Sequence, residues 1–263
     1  MKKLTILAVL LLSTLMVNAQ TISRVEPLNW WVGMENKNLQ LMVYGKNIGD
    51  AEVKLSYAGV TLMKVNRVEN KNYLFIDLLL DKGAKAGSFN IYFTFPNKQT
   101  EAYKYSLLER KKNSSKRVGF SSKDVVYLIM PDRFSNGDAS NDSIAQLKDK
   151  LKRKDQYGRH GGDIQGIINH LDYFNDLGVT TLWLTPVLEN DQPHASYHGY
   201  AITDYYKVDP RHGSNELYKQ MVEKAHQKGL KVVMDMVFNH CGSEHWWMND
   251  LPSNDWINQW PEY

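Results

Sequence analysis

Hydrophobic and polar residues alternate along the chain between about Thr21 and Glu109. Four runs rich in β-branched and aromatic residues stand out: "LQLMVYG", "AEVKLSYAG", "NYLFIDLLL" and "SFNIYFTF". The turn sequences "KNIGD", "VENKN" and "DKGAKAG" lie between or beside them. Short strands at this spacing, without helical periodicity, predict a β-sandwich over residues 20–110.

The pattern changes after a polar, patternless stretch, which we interpret as a linker over residues 111–120. Three apolar runs follow, "VVYLIM", "VTTLWLTP" and "LKVVMDMVFNH", as expected for strands buried on both faces. Between them lie two segments with helical spacing, capped by Asp163 and Ser214 and ended by Gly178 and Gly229. The order strand–helix–strand–helix–strand predicts a parallel α/β domain over residues 121–263. Its long loops follow the carboxyl ends of the strands, where such domains place their sites.

The first 20 residues, "MKKLTILAVLLLSTLMVNAQ", have the order of a secretory signal peptide: two lysines, an apolar run and small residues. We expect cleavage after Ala19, and hence a periplasmic or secreted protein that is not anchored in the membrane. The apolar run is short for a membrane span.

The charge balance and the cysteine count narrow the function classes. The 32 basic and 29 acidic residues give a net charge of +3, and the basic stretches do not interleave with aromatic residues, which disfavours nucleic-acid binding. The single cysteine excludes an intramolecular disulfide. Cys241, beside His240, is either a nucleophile or a small buried thiol.

Polar residues with chemical potential follow each apolar run. In the third run, the face with Val232, Met234, Met236 and Phe238 is expected to lie under helices. Asp235 is expected on the opposite face, where a carboxylate has either a structural or a functional role. The loop "SYHGYAITDYYKVDP" contains His198 and Tyr200, which either bind a sugar or pack on the rim of the domain. The oxygen-rich loop "SNGDASND" either binds calcium or forms a solvated turn.

Four motifs occur in a familiar order: "DRFSNGD", "GGDIQGIINHLDYFNDLGVTTLWLTPV", "YHGYAITDYYKVDPRHG" and "DMVFNH". Together they resemble the α-amylase family of glycoside hydrolases, and most closely its neopullulanase and cyclomaltodextrinase branch. The resemblance implies a multidomain β plus α/β fold. An immunoglobulin-like β-sandwich would be followed by the first three strands of a truncated TIM (β/α)8 barrel and the start of the domain inserted after strand three.

The resemblance also implies residue roles. Asp235 and His240 would border the subsite that holds the sugar to be cleaved, where His198 would bind hydroxyl groups and Tyr200 would stack. A structural calcium ion would be held by a larger set: Asn136, Asp138, Asn141, Asp142, Gly161 (through its carbonyl) and Asp163.

The implied activity is hydrolysis of an α-glucan (starch, pullulan, cyclodextrin or maltooligosaccharide) with retention of configuration, and the implied assembly is a homodimer through the sandwich. The nucleophile and general acid are expected beyond Tyr263, so the chain is expected to be inactive alone. It would be either a truncated record or a genuine short product. The alternatives are a non-catalytic glucan-binding protein and a glucan transferase.

Overall fold

The computed structural model describes residues 21–260, so the expected signal peptide lies outside the described residues. The chain divides into two compact units. The first extends to Lys116 and includes the segment from Leu251 onward, and the second is Arg117–Asp250. No helix within residues 21–260 is both long enough and apolar enough to cross a bilayer.

The first unit is built from eight strands. They are β1 (Ile22–Glu26), β2 (Trp30–Trp31), β3 (Asn38–Gly45), β4 (Glu52–Leu55), β5 (Val60–Arg67), β6 (Tyr73–Leu80), β7 (Gly87–Thr94) and β8 (Thr100–Leu108). The four runs identified in the sequence correspond to β3, β4, β6 and β7. The other four strands were not assigned, because their apolar residues are fewer or more widely mixed with polar ones.

These strands form two four-stranded sheets, in the orders β1-β3-β6-β5 and β2-β8-β7-β4. Both sheets contribute to one hydrophobic core, in which Leu41 and Ile76 of the first sheet and Ile91 and Phe93 of the second are fully buried. Alternation along each strand places these side chains on the inner face, so the period of two produces a two-layer β unit.

The segment from Leu251 packs on the first unit. The Asn70 N–H donates to the Pro252 carbonyl at 3.1 Å. The Trp256 ring lies 5.8 Å from that of Phe75, centroid to centroid. The sequence led us to expect this segment with the α/β domain, but its contacts with Asn70 and Phe75 associate it with the first unit.

The second unit contains five strands and four helices. The strands are β9 (Val126–Ile129), β10 (Thr181–Leu184), β11 (Leu188–Glu189), β12 (Asp204–Val208) and β13 (Lys231–Met234). The helices are α1 (Pro131–Phe134), α2 (Ile164–Asn169), α3 (Leu171–Asp176) and α4 (Asn215–Gln227). Short 3-10 helices across the two units cover Ile48–Asp50, Ser114–Lys116, Ala139–Asn141, Ser196–His198 and Trp246–Asn249.

Three of these strands form a parallel sheet in the order β13-β10-β9. In register, Leu182 of β10 lies between Tyr127 and Val232. These three side chains, with Leu184 and Ile129, pack against apolar residues of α2, α3 and α4 such as Ile167, Phe174 and Met221. The opposite face carries Leu128 and Trp183, which are 55% and 40% exposed.

The two expected helix caps are present. The Asp163 carboxylate accepts the Gly166 N–H at the start of α2, and the Ser214 hydroxyl accepts the Leu217 N–H at the start of α4. Gly178 and Gly229 follow the helices with φ of 80° and 78°, which terminates each helix without steric strain. However, the first predicted helix is interrupted at His170, whose ring Nδ1 lies 2.7 Å from the Gly166 carbonyl.

The third predicted strand is shorter than its apolar run. β13 ends at Met234, although the sequence predicted extension to His240. Val232 faces the helices as expected, but Met234 and Phe238 are 37% and 85% exposed, so the expectation that this whole face is covered was wrong. β13 is an edge strand with one neighbour, and beyond Met234 the chain instead buries Val237 against Leu188 and Ile202.

Candidate functional site

Asp235 lies directly after β13 and accepts hydrogen bonds from two aromatic side chains. The Tyr200 hydroxyl donates to Asp235 Oδ2 at 3.0 Å. The Trp183 indole N–H donates to the same oxygen at 3.2 Å. These bonds compensate the cost of placing a carboxylate beside an apolar sheet. Burial raises the Tyr200 pKa, and Asp235 raises it further, so the phenol remains a donor at neutral pH.

His198 lies beside Tyr200. Its Nδ1 accepts the Tyr200 backbone N–H at 2.9 Å. The two rings are stacked with centroids 5.9 Å apart. A backbone N–H can only donate, so Nδ1 is unprotonated and Nε2 carries the hydrogen. Burial lowers the His198 pKa below its ordinary value of 6.5, which favours this neutral form.

His240 contacts the backbone of Tyr200. Its ring Nε2 lies 2.9 Å from the Tyr200 carbonyl, and its own carbonyl accepts the Tyr205 hydroxyl at 2.6 Å. The four residues selected from the sequence, His198, Tyr200, Asp235 and His240, therefore form one hydrogen-bonded cluster with Trp183.

Trp183 was not selected from the sequence. Its position was nevertheless encoded, because in "TLWL" it alternates with the buried Leu182 and Leu184 and therefore points to the opposite face. Asp235 is on that same face. An aromatic ring that donates to Asp235 and is 40% exposed adds a second apolar surface to the cluster.

The backbone of the His198–Tyr200 loop depends on Gly199. This residue has φ 85°, and a Cβ there would lie 2.9 Å from the Pro186 carbonyl carbon. The loop therefore approaches the end of β10 more closely than any other residue type allows.

Ser196, at the start of the same loop, is held by buried charges. Its N–H and hydroxyl donate to Asp149 Oδ2 at 3.1 and 3.0 Å, and Arg159 donates to its hydroxyl at 3.2 Å. Further buried charged or titratable residues surround this contact: Asp132, Asp209, Arg211 and His212. Arg159 also contacts His212, and Arg211 donates to Asp209 and to the Asp149 carbonyl, so these side chains support the start of the loop.

Within the network, each buried charge has a partner. Burial raises the Asp209 pKa, but the hydrogen bonds and charge of Arg211 outweigh it and hold the pKa below its ordinary value. Burial and the charge of Arg159 lower the His212 pKa to about 4, so its imidazole is neutral at neutral pH. At neutral pH Asp209 is therefore a fixed negative charge and His212 is uncharged.

The oxygen-rich loop brings most of its selected residues together. Asn136 Nδ2 donates to Asp142 Oδ1 at 2.6 Å. The Gly161 backbone passes beside both, since a Cβ on it would lie 3.0 Å from Asn136 Nδ2. Asn141 is 8% exposed, and its Oδ1 has no hydrogen-bond partner among the described residues. An unpartnered buried amide oxygen is the type of ligand that calcium prefers.

The other two selected residues have hydrogen-bonding roles of their own. Asp163 is fully buried and accepts the backbone N–H groups of Gly137, Asp138 and Gly166. Asp138 accepts the Ser140 N–H and hydroxyl, which lowers the Asp138 pKa. Among the described residues there is no group of three or more acidic, histidine or cysteine side chains placed to hold a metal, so any ion here would depend on amide and carbonyl oxygens.

Cys241 is half-buried, and this burial raises the pKa of its thiol. A raised pKa favours the thiol over the reactive thiolate. Of the two interpretations left open by the sequence, the small buried thiol is the one that the structure favours.

Comparison with known proteins places these elements in a family. A model described as the alpha amylase catalytic domain matches residues 128–261, which is half of the chain. The chain belongs to the alpha-amylase family. A second model, for the cyclomaltodextrinase N-terminal domain, matches residues 24–111. The resemblance noted in the motifs is thus confirmed, as is an N-terminal domain followed by part of a catalytic domain.

Individual relatives are much longer than this alpha-amylase family chain. A cyclomaltodextrinase of Thermoanaerobacter pseudethanolicus is 34% identical over 73% of the chain, which spans 35% of that relative. Neopullulanase 2 of Thermoactinomyces vulgaris is 38% identical over 48% of the chain, which spans 21% of that protein. The solved structure of an Anoxybacillus α-amylase is 41% identical over 52% of the chain. The match covers 28% of that α-amylase, with a TM-score of 0.47.

Proposed function

We propose that this chain forms the sugar-binding side of an α-glucan hydrolase. The observation that supports this most strongly is the convergence on Asp235 of Tyr200 and Trp183, with His198 and His240 hydrogen-bonded to the Tyr200 backbone. Aromatic faces suit the C–H surface of a glucose ring, while the carboxylate and imidazoles suit its hydroxyl groups. The names of the relatives, cyclomaltodextrinase and neopullulanase, favour α-linked glucose as the sugar.

The proposed chemistry is hydrolysis with retention of configuration. It needs two carboxyl groups about 5 Å apart on either side of the bond, one as nucleophile and one as acid. The cluster contains one carboxylate, Asp235, which is already hydrogen-bonded to two donors. We therefore assign Asp235 to binding and propose that catalysis requires carboxylates outside these 263 residues, which leaves the chain inactive by itself.

The fold of the whole protein is part of the same proposal. The two-sheet unit would be an immunoglobulin-like sandwich, and β9, β10 and β13 would be the first three strands of a (β/α)8 barrel. The exposed face that carries Leu128 and Trp183 would then line the barrel interior.

The proposed cofactor is one structural calcium ion in the "SNGDASND" loop. The unpartnered Asn141 Oδ1, the Asp142 carboxylate, the Asn136 side-chain oxygen and the Gly161 carbonyl would hold it, with Asp138 and Asp163 shaping the loop. The ion would supply charge neutralisation and cross-link two parts of the loop. We also propose export to the periplasm or the medium, on the evidence of the amino-terminal sequence.

The hydrolase proposal is tested by assaying the full-length natural gene product with starch, pullulan, cyclodextrin and maltoheptaose. The proposal predicts cleavage, with the α-anomer as the first product in proton NMR. A full-length product that binds these sugars without cleaving them would establish the glucan-binding alternative. Transfer to a second sugar in preference to water would establish the transferase.

A further inference from the structure

A cavity of about 310 Å³ opens on the first unit, apart from the cluster around Asp235. Its lining comes from two stretches, residues 30–37 and residues 80–82. The first stretch contains β2 and the turn after it, and the second begins at the last residue of β6. This volume is at the lower end of the range for small-ligand sites in proteins.

Two adjacent tryptophans dominate the lining. Trp30 is partly buried against the sandwich core, whereas Trp31 is 39% exposed. Their rings are 5.9 Å apart and tilted by 58°, so they form a bent aromatic surface rather than a stack. The two rings therefore offer apolar surface to a ligand that enters the cavity.

Main-chain hydrogen bonds hold both walls of the cavity. The Val32 N–H donates to Leu108 at 3.0 Å, and the Leu80 N–H donates to Lys37 at 2.8 Å. Gly33 has φ 70° with nothing within 4 Å of the position of a Cβ, so the cavity is open on that side. The site is therefore preformed, which lowers the entropy cost of binding.

The polar groups around the tryptophans balance in charge. Glu35 and Asp81 oppose Lys37 and Lys82, and Asn36 adds an amide. Such a rim offers donors and acceptors without a net charge, which suits a neutral ligand rich in hydroxyl groups better than an anion or a cation. An apolar face with a polar hydroxylated edge is the surface of a sugar ring.

We infer that this Trp30–Trp31 cavity is a second, non-catalytic glucan site on the sandwich unit, binding one or two glucose units of an α-linked chain. The choice of α-glucan rests on the proposed function. Such a site would hold a polymer near the protein and raise its local concentration at the cluster around Asp235.

The test follows the indole N–H signals of the seven tryptophans by NMR while maltoheptaose is added to the 263-residue chain. Trp31→Phe and Trp183→Phe assign the two relevant signals by their absence. The inference predicts a saturable shift of the Trp31 signal and a weaker response to cellohexaose, which is β-linked. Absence of a Trp31 shift at saturating maltoheptaose overturns it, and so does an equal response to cellohexaose.

Substitutions of Trp31 measure how much this side chain contributes to the affinity of the cavity for maltoheptaose. Trp31→Ala should raise the dissociation constant at this site by about tenfold or more, as removal of a tryptophan anchor does, while Trp31→Phe should retain most of the affinity. The matched control is Tyr92→Ala, which removes an aromatic side chain of the same unit that is 43% exposed and outside the cavity. Equal losses in Trp31→Ala and Tyr92→Ala would overturn the inference. If Trp31→Ala does not fold, the response of the wild-type Trp31 indole N–H signal to maltoheptaose and cellohexaose decides the inference.

The same spectra separate this inference from the proposed function. A shift of Trp31 without Trp183 supports the cavity and contradicts the cluster, and the reverse result contradicts the cavity alone. If the Trp31 signal instead responds to protein concentration and Trp31→Ala converts a dimer to a monomer, the cavity is a contact between two copies of the chain and the inference fails.

Discussion

Asp235 and His198 illustrate what single residues contribute to the candidate site. Asp235 is at the end of an apolar strand, yet its carboxylate has two donors, Tyr200 and Trp183, from two other segments of the chain. His198 accepts a backbone N–H through Nδ1, which fixes its tautomer and leaves Nε2–H available as a donor. The sequence alone left the role of Asp235 undecided, because neither donor is near it in the chain.

The protonation state of His198 predicts a pH dependence of glucan binding. Protonation of Nδ1 removes its acceptor for the Tyr200 N–H, so the cationic form should disrupt the loop. Because burial holds the His198 pKa below 6.5, affinity should be constant at and above neutral pH and should fall as the pH drops through the lowered pKa. The Trp183 indole N–H signal, followed during titration with maltoheptaose across this pH range, measures the effect at the cluster.

The control for this prediction is His198→Gln, which keeps a polar side chain that does not titrate. Its affinity should be lower than that of the wild type at neutral pH but should not vary with pH. An equally steep acid loss in His198→Gln would show that another group is responsible.

At the scale of elements, helix caps were the most accurately predicted features. Asp163 and Ser214 cap α2 and α4 as the sequence indicated, because a cap is a local interaction within three residues. The break at His170 and the end of β13 at Met234 were not predicted. Both depend on competing partners, the Gly166 carbonyl for His170 and the Leu188–Ile202 contact for Val237.

The two caps should differ in their contribution to stability. Ser214→Ala removes one cap bond and should cost about 1 kcal/mol. Asp163→Ala also leaves the N–H groups of Gly137 and Asp138 without their acceptor, so it should cost roughly 3 kcal/mol. Urea denaturation in the presence of chelator measures both without a contribution from metal. Equal costs would show that Asp163 is no more than a cap.

The oxygen-rich loop predicts a stabilising effect of calcium. Calcium should raise the Tm of the chain relative to excess chelator, because it binds the folded loop and not the unfolded chain. Asn141→Ala, which removes the unpartnered oxygen, should abolish the difference. Asp155→Asn, in the same long loop but outside the proposed ligands, should retain it. An identical wild-type Tm with calcium and with chelator would contradict the site.

The amino-terminal ends of the sheet strands predict a response to acid. Asp124 accepts hydrogen bonds from Lys231, Ser121 and Thr180, which together lower its pKa from 3.8 to about 2. Because the Asp124 pKa is lower in the folded than in the unfolded state, its ionised carboxylate stabilises the fold at pH values above the unfolded-state pKa. This contribution is lost as the pH falls from about 4 to about 2.

The measurement is the Tm of wild type and Asp124→Asn between neutral pH and pH 2. The difference should be constant near neutral pH and should shrink over the acid range. When both proteins also carry Lys231→Met, the Tm difference that Asp124→Asn causes should shrink less in acid, because the largest cause of the lowered Asp124 pKa has been removed. A wild-type advantage that persists unchanged to pH 2 would contradict this role.

At the scale of the whole molecule, the two-part organisation was readable from periodicity. The change from period two to helical spacing falls near residues 111–120, and the two units divide at Lys116. The nearly continuous apolar run of β6 and the alternation in β7 made those strands clear, whereas β5, "VTLMKVNR", mixes polar residues onto both faces. The candidate site was located from motifs. Alternation in "TLWL" places Trp183 on one face of β10, but its contact with Asp235 depends on the register of β10 beside β13.

The association of the segment from Leu251 with the first unit could not have been predicted from the sequence. It depends on contacts with Asn70 and Phe75, which lie far earlier in the chain. Asn70 and Leu251, for example, are 181 positions apart. Neither residue has a distinctive local pattern. Long-range contacts of this kind are determined by the folded surface as a whole.

The central claim, that the cluster around Asp235 binds α-glucan, is tested most directly by the indole N–H signal of Trp183. This proton is donated to Asp235, so its resonance reports on the site itself. We predict a saturable shift with maltoheptaose that is weakened about tenfold or more in Asp235→Ala. An unchanged Trp183 signal at saturating maltoheptaose would contradict the claim.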